Sequence, residues 1–184
     1  MKFLNTLIVS IITMLIIVLA VRGNYGNPTA KDLNTTTWKE NGPLELSPER
    51  GRFALLYSIV EDKSMNFSVD IARFTTPDLG YKDGKYVSLF APAVSYIAAA
   101  GYIIGKFFGA SQVGAFAIIG LFALFNGLLI RRLIKQLTEN DYAANLGALV
   151  YLFATPSFAY SVTLYQHQIS TFLILAALNL LAST

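Results

Sequence analysis

Long uncharged apolar stretches alternate with one polar segment along the 184 residues of the chain. Residues 3–21, 87–105, 107–130 and 142–184 contain no Asp, Glu, Lys or Arg. An apolar helix of about 18 or more residues is long enough to cross a bilayer core about 30 Å thick. The pattern therefore predicts an all-α integral membrane protein with four to five hydrophobic helical segments, and an extracytoplasmic loop containing an amphipathic helix.

The distribution of charge divides the chain into three parts. We predict that residues 1–21 form a first transmembrane helix, residues 22–86 an extracytoplasmic loop, and residues 87–184 a transmembrane helical bundle. The first stretch follows a single lysine, and it could be an uncleaved anchor or a removed signal peptide. Either alternative places the loop on the far side of the membrane. Because the last apolar stretch continues to the end of the sequence, we expect the bundle to be truncated there.

A helix start follows the Asn- and Thr-rich part of this loop. Ser47 is a suitable N-cap and Pro48 suits the first helical position, while Glu49 in the first turn is favoured by the helix dipole. Four apolar residues recur at helical spacing, namely Phe53, Leu56, Tyr57 and Val60. These features predict an amphipathic helix over residues 48–61. It is too short and too charged to span a bilayer, so it should lie along the membrane surface or pack on the spans.

The last part of the loop carries two patterns that are typical of extended structure. Residues 66–74 partly alternate between apolar and polar side chains and could be extended. Residues 81–86 predict a tight hairpin, because Asp83-Gly84 supplies the positive φ that such turns need. The flanking Tyr81 and Tyr86 could pair across the hairpin, or lie at the level of the lipid headgroups.

The positive-inside rule leaves the number of crossings open. Lys2 on the inside places the loop 22–86 outside, and the basic cluster at 131–135 also favours the inside. If both hold, 87–130 crosses the membrane once, and part of 87–110 is re-entrant or interfacial. Otherwise 87–130 is a two-span hairpin with the basic cluster outside, against the rule. Either arrangement predicts a multi-pass protein of the plasma (inner) membrane with 22–86 extracytoplasmic.

The formal net charge of +3 does not indicate a nucleic-acid-binding surface. The chain has 14 basic and 11 acidic residues, and 18 of these 25 lie in 22–86, where nine of each sign cancel. The excess positive charge lies beside the apolar stretches, as is typical of membrane proteins. The lipid bilayer is therefore an expected partner, and no nucleic acid is.

Several classes of chemistry have no motif in this chain. The absence of cysteine excludes disulfides, cysteine zinc ligands and thiol nucleophiles. Walker A, HExxH, GxSxG and Rossmann patterns are also absent, so neither a nucleotide-driven pump nor a soluble-type hydrolase is indicated. No metal-binding motif is present, and the cofactor, including any divalent metal, stays undetermined.

The candidate chemistry lies in the predicted helix 48–61 and at the only histidine. Glu49 could act as a general base or bind a metal, or it could simply stabilise the helix dipole. Arg50 and Arg52 could bind a lipid phosphate, because an arginine fork matches phosphate oxygens. They could instead contact headgroups or pair with acidic residues at 61–62. His167 interrupts an apolar region, and it could face the interior of a bundle or lie in a loop.

Six short segments occur in an order and spacing that carry a resemblance. They are residues 49–55 (ERGRFAL), 58–62 (SIVED), 80–92 (GYKDGKYVSLFAP), 129–133 (LIRRL), 155–157 (TPS) and 163–167 (TLYQH). In this order the chain resembles the amino-terminal part of the GT-C-type membrane glycosyltransferases, in the protein-mannosyltransferase and aminoarabinose-transferase-like superfamily. The resemblance covers about residues 45–184. The family's acidic pair falls on Glu49-Arg50 here, and its Arg-Tyr falls on Arg52-Phe53, so one carboxylate of the pair is an arginine.

The resemblance implies a function for these residues. Such an enzyme transfers a sugar from a polyprenyl-phosphate carrier to an extracytoplasmic acceptor, with Glu49 as the catalytic residue. Arg50, Arg52, Lys85 and His167 are then the predicted substrate-binding residues. The donor phosphate is already an activated leaving group, so no nucleotide motif is needed. The alternative is a non-enzymatic multi-span membrane protein, such as a transporter subunit or assembly factor, although no internal repeats indicate a transporter.

Overall fold

The computed structural model describes residues 2–45 and 48–182, with side chains from Leu7 onward. The N-cap predicted at Ser47 lies outside the described residues. The helices are α1 Lys2–Ala20, α2 Pro48–Val60, α3 Val69–Thr75, α4 Ala93–Phe107, α5 Ser111–Thr138, α6 Asp141–Phe153, α7 Ser157–Ser161 and α8 His167–Leu181. The strands are β1 Asn66–Phe67, β2 Leu79–Lys82 and β3 Lys85–Ser88. A 3-10 turn spans Asp32–Asn34, and a π-helical turn spans Thr36–Glu40.

The chain divides into two compact units. The first, called the helical unit, comprises Met1–Val21, Ile119–Val162 and Gln166–Thr184. The second, called the mixed unit, comprises Arg22–Ile118 and Thr163–Tyr165. The division falls inside α5, whose first residues belong to the mixed unit.

A three-stranded antiparallel sheet in the mixed unit shows that the all-α prediction is wrong. The strand order is β1-β3-β2. The predicted hairpin at 81–86 is confirmed, with φ of 51° at Asp83 and 77° at Gly84 in the turn. Tyr81 and Tyr86 are register partners with ring centroids 5.2 Å apart, so the tyrosines pair across the hairpin.

The extended structure expected over 66–74 is found only at its start. Ser68 follows β1 directly, and its side chain accepts a hydrogen bond from the backbone N–H of Ile71. That cap starts α3, which occupies Val69–Thr75. The capping residue Ser68 therefore stabilises a helix in a segment whose alternating side chains predicted a strand.

The prediction of four to five membrane-spanning helices is also wrong. Among the residues whose side chains are described, Leu7–Glu45 and Pro48–Ala182, α5 alone is long and apolar enough to cross a membrane. Three other apolar helices are shorter in that range, namely Leu7–Ala20 within α1, Ala93–Phe107 and His167–Leu181. The uncharged stretches are broken by turns, at Gly109 with a φ of 65° and around Pro156. The number of spanning helices therefore does not support the predicted multi-pass topology.

Helix α2 forms the centre of the mixed unit. A helix was predicted over 48–61 and is found at Pro48–Val60. It is not one-sided, however, because every residue from Glu49 to Ser58 is buried. It packs against α3, α4 and β1. Phe53 contacts Phe74 and Tyr102 with ring centroids 6.4 and 6.0 Å apart. Of the two positions expected for this helix, burial on all sides contradicts the one along the membrane surface.

Glycines bring α4 and the start of α5 into backbone contact. A Cβ added to Gly101 would lie 2.2 Å from the carbonyl oxygen of Gly114, and one added to Gly114 would lie 2.1 Å from that of Gly101. No side chain fits at either distance. Helices α4 and α5 can therefore approach this closely only because both residues are glycine.

Amide side chains connect helices inside the helical unit. Asn126 donates through Nδ2 to the carbonyl and Oε1 of Gln168, at 2.9 and 2.7 Å. Gln168 in turn donates through Nε2 to the carbonyl and hydroxyl of Ser157, at 2.6 and 3.1 Å. At the other end of α5, Arg131 donates to Asn145 and Asp141 at 2.7 and 3.2 Å. These contacts join α5 to α6, α7 and α8.

Candidate functional site

Glu49 is a fully buried carboxylate in the first turn of α2, with a relative exposure of 0%. Its Oε2 accepts the backbone N–H of Glu45 at 2.8 Å, and its Oε1 accepts the backbone N–H of Leu164 at 2.6 Å. All three residues belong to the mixed unit. The carboxylate therefore joins two chain segments that are far apart in sequence, using one oxygen for each.

Arg22 supplies the positive charge beside this carboxylate. Its Nη1 lies 3.7 Å from Oε2 of Glu49 and 3.9 Å from Oε1 of Glu45. Its Nη2 donates to the carbonyl of Pro43, and its guanidinium lies over the ring of Phe116, 5.8 Å from the centroid. The arginine thus faces two carboxylates, one buried and one with a side chain 58% exposed.

A second arginine, Arg52, lies one helical turn after Glu49 and is buried. Its guanidinium lies over the rings of Phe90 and Tyr165, 5.2 and 5.6 Å from their centroids. The hydroxyl of Tyr165 donates to Oε2 of Glu45 at 3.1 Å. We call Arg22, Glu45, Glu49, Arg52 and Tyr165 the Glu49 cluster.

Burial sets the proton affinity of the groups in this cluster. It raises the pKa of Glu49 above its ordinary value, against the backbone N–H groups of Glu45 and Leu164 and the charge of Arg22. It also lowers the pKa of Arg52, against the negative charges nearby. The pKa of Tyr165 is raised, first by burial and then by its hydrogen bond to Glu45, so the phenol keeps its proton. The cluster therefore combines a carboxylate that takes up a proton more readily than usual with two cationic groups.

Arg50 was predicted to bind substrate, and its side chain contacts two neighbouring segments of the mixed unit. Its Nη2 donates to the carbonyl of Lys39 at 2.7 Å, and its guanidinium lies over the ring of Phe74, 5.4 Å from the centroid. The first contact holds α2 to the turn at Thr36–Glu40, and the second holds it to α3. Of the two acidic residues at 61–62 that were the alternative partners, Glu61 bonds Lys106 at 2.7 Å.

The other two predicted substrate-binding residues lie outside the Glu49 cluster. Lys85 is exposed at the first position of β3, where it faces Lys82 in the register of the hairpin. His167 belongs to the helical unit and is the exposed first residue of α8. Its ring lies 4.1 Å from that of Tyr160, centroid to centroid. A role in substrate binding stays a prediction for both residues.

Sequence reasoning missed three members of the Glu49 cluster. In the sequence Arg22 is the first residue of the predicted loop, Glu45 is one of nine acidic residues in that loop, and Tyr165 belongs to one of the matching segments. A local signal existed for Glu45, which precedes Glu49 by four residues. None existed for the others, because Arg22 and Tyr165 reach α2 only through the tertiary fold.

Neither a metal centre nor a relative adds to this geometry. Among the residues that the structure describes, no three His, Asp or Glu side chains are grouped so that they could hold a metal ion. Comparison of the chain with family models, with curated proteins and with solved structures finds no match.

Proposed function

We propose that the mixed unit carries the catalytic site of a glycosyltransferase that moves a sugar from a polyprenyl-phosphate carrier to an extracytoplasmic acceptor. The observation that supports this most directly is the buried carboxylate of Glu49, which has Arg22 at 3.7 Å and Arg52 one helical turn further along α2. Transfer from a sugar phosphate needs a group that accepts a proton and positive charge for the departing phosphate. The Glu49 cluster contains both.

The proposed reaction is a displacement at the anomeric carbon of the donor sugar. The acceptor oxygen forms a bond to this carbon and loses its proton to the carboxylate of Glu49. The bond between the anomeric carbon and the phosphate oxygen breaks, and the phosphate leaves with the electron pair. Arg52 and Arg22 neutralise the charge that develops on the phosphate. Glu45, as the exposed carboxylate, orients Arg22 and Tyr165.

A second candidate function is a non-enzymatic membrane protein. One observation favours it: both oxygens of Glu49 already accept backbone N–H groups, those of Glu45 and Leu164. A carboxylate used in this way ties two segments together without any substrate. The two candidates differ in what happens when the carboxylate is replaced, because a purely structural residue affects the amount of folded protein and not the rate per folded molecule.

The test compares Glu49→Gln with the wild-type protein in detergent-solubilised membranes, using a panel of polyprenyl-phosphate hexoses and pentoses. The readout is the release of polyprenyl phosphate per folded molecule. We expect a loss of roughly 10²- to 10⁴-fold, which is the range of general acid–base catalysis. Glu40→Gln is the matched control, because Glu40 is an exposed glutamate in the same unit. Its rate should equal that of the wild type.

Two outcomes would contradict the proposal. One is a Glu49→Gln protein that releases polyprenyl phosphate at the wild-type rate per folded molecule. The other is a wild-type protein that uses none of the donors while its thermal unfolding shows an intact fold. The second result, together with a lowered unfolding temperature of Glu49→Gln, would support the structural role of the carboxylate.

A further inference from the structure

Three aromatic side chains protrude from one place in the mixed unit. Tyr25, Phe107 and Phe108 are 83%, 84% and 81% exposed. An aromatic side chain buries about 150–250 Å² when it is covered, so these three present a large apolar area to their surroundings. Exposed apolar area that is concentrated in one patch marks an interaction surface. We call the three residues the aromatic tip.

Backbone contacts hold the aromatic tip together. The N–H of Gly26 donates to the carbonyl of Gly109 at 2.7 Å, and the N–H of Ser111 donates to the carbonyl of Gly26 at 3.3 Å. Gly109 has a φ of 65°, which closes the turn between α4 and α5. The segment that carries Tyr25 is thereby fixed beside the turn that carries Phe107 and Phe108. The aromatic tip is therefore held in place by backbone hydrogen bonds of the mixed unit.

Polar groups border the tip. A cleft of about 420 Å³ beside Phe107 is also lined by Asn27, Ile103 and Lys106. The ammonium group of Lys106 lies 2.7 Å from the carboxylate of Glu61. The backbone carbonyl of Lys106 accepts a hydrogen bond from the side chain of Asn27 at 2.9 Å. Aromatic rings next to an amphipathic lysine are the composition found at the boundary between lipid headgroups and hydrocarbon.

We propose that the aromatic tip docks into the headgroup region of a phospholipid bilayer. Helix α5 identifies this occupant, because it begins at Ser111, directly after the turn that carries the tip, and is long and apolar enough to cross a membrane. The end of such a helix lies at the membrane–water boundary, where aromatic residues collect. The proposal concerns attachment to lipid and does not depend on the proposed transferase activity.

The absence of cysteine allows a direct test, because a single introduced cysteine is the only site for a thiol label. Phe107→Cys, Phe108→Cys and Tyr25→Cys are each spin-labelled and reconstituted into vesicles of phosphatidylcholine and phosphatidylglycerol. The accessibility of each label to oxygen, which partitions into lipid, is compared with its accessibility to a water-soluble nickel chelate. Lys82→Cys in the β-hairpin is the control, because it is an exposed residue of the same unit.

We expect the labels at the tip to be more accessible to oxygen than to nickel, and the label at 82 to show the reverse. Labels at the tip that match the control would overturn the proposal. Labels that neither reagent reaches would also overturn it, because they would show that a protein surface, such as a second copy of the chain, covers the tip. Each variant is first checked by thermal unfolding, and the three positions provide independent readings.

Discussion

Glu49 occupies a position where an ionised side chain is costly. Transfer of a carboxylate from water to a protein interior is unfavourable unless hydrogen bonds and an opposite charge compensate for it. Two backbone N–H groups and Arg22 provide that compensation, but burial still raises the pKa of Glu49. The sequence predicts that Glu49 lies in the first turn of a helix. There, stabilisation of the helix dipole on a solvated surface is a simpler interpretation than a catalytic role. The complete burial of Glu49 makes that interpretation insufficient.

The raised pKa makes the stability of the mixed unit dependent on pH. Between 4.5, the ordinary pKa of the side chain, and its higher value in the folded protein, the native state binds more protons than the unfolded state. The free energy of unfolding should therefore fall as pH rises through this window. Glu49→Gln should remove this part of the pH dependence. Thermal unfolding of both proteins from pH 4 to 8 would check it, and parallel profiles would contradict it.

Removal of Arg22 should leave the buried carboxylate without its nearest cation. We expect Arg22→Gln to lower the free energy of unfolding by about 1–3 kcal/mol, the cost of a lost partner at a buried charged group. Arg73→Gln is a matched control, because Arg73 is also 3.7 Å from a carboxylate, that of Asp70, but has a side chain 71% exposed. It should change stability by less than about 1 kcal/mol. Equal effects in chemical denaturation would show that burial of Glu49 is not the cause.

At the scale of the element, the sequence predicted secondary structure correctly where a few neighbouring residues determine the backbone conformation. The hairpin at 81–86 was predicted because Asp83 and Gly84 adopt positive φ at little cost. The bounds of α2 were predicted to within one residue at its end. The sequence did not predict that β1 is the edge strand of a sheet, because its two residues pair with β3 and not with a neighbouring segment of the sequence.

Close contact between α4 and α5 leads to a prediction about glycine. Gly101→Ala should destabilise the mixed unit by about 1–3 kcal/mol, because the new Cβ would overlap the carbonyl of Gly114 and force the helices apart. Ala100→Ser is the control, since it adds one atom at an exposed position of the same helix. Unfolding temperatures of the two variants would be compared with that of the wild type. A Gly101→Ala protein as stable as the control would contradict the glycine contact.

At the scale of the whole molecule, sequence and structure differ in how many helices are long and apolar enough to cross a membrane. The uncharged stretches in the sequence predict four to five spans, whereas one helix of sufficient length and apolarity is found among the residues whose side chains are described, from Leu7 onward. The cause is the placement of turns. Gly109 and Pro156 divide stretches that contain no charge, and hydropathy along a chain does not register where a helix ends.

If α5 crosses a bilayer, its two ends must face opposite sides. Lys82→Cys, in the unit that holds the first residues of α5, and Gln136→Cys, near its last residue, should then react with a membrane-impermeant maleimide from opposite faces of oriented vesicles. The basic cluster Arg131–Lys135 should mark the inner side by the positive-inside rule. The cysteine-free wild type is the background control. Labelling of both positions from one face would show that α5 does not cross.

The sequence by itself determined the helical character of most of the chain, the hairpin, the position of α2 and the candidacy of Glu49, Arg50 and Arg52. Each depends on residues within about one or two turns of one another, so local chemistry is enough. Only the tertiary structure decided that α2 is buried on all sides, that Arg22 and Tyr165 join the Glu49 cluster, and that the apolar stretches divide into short helices. These outcomes depend on contacts between residues far apart in the chain, and no local pattern encodes which distant groups compensate a buried charge.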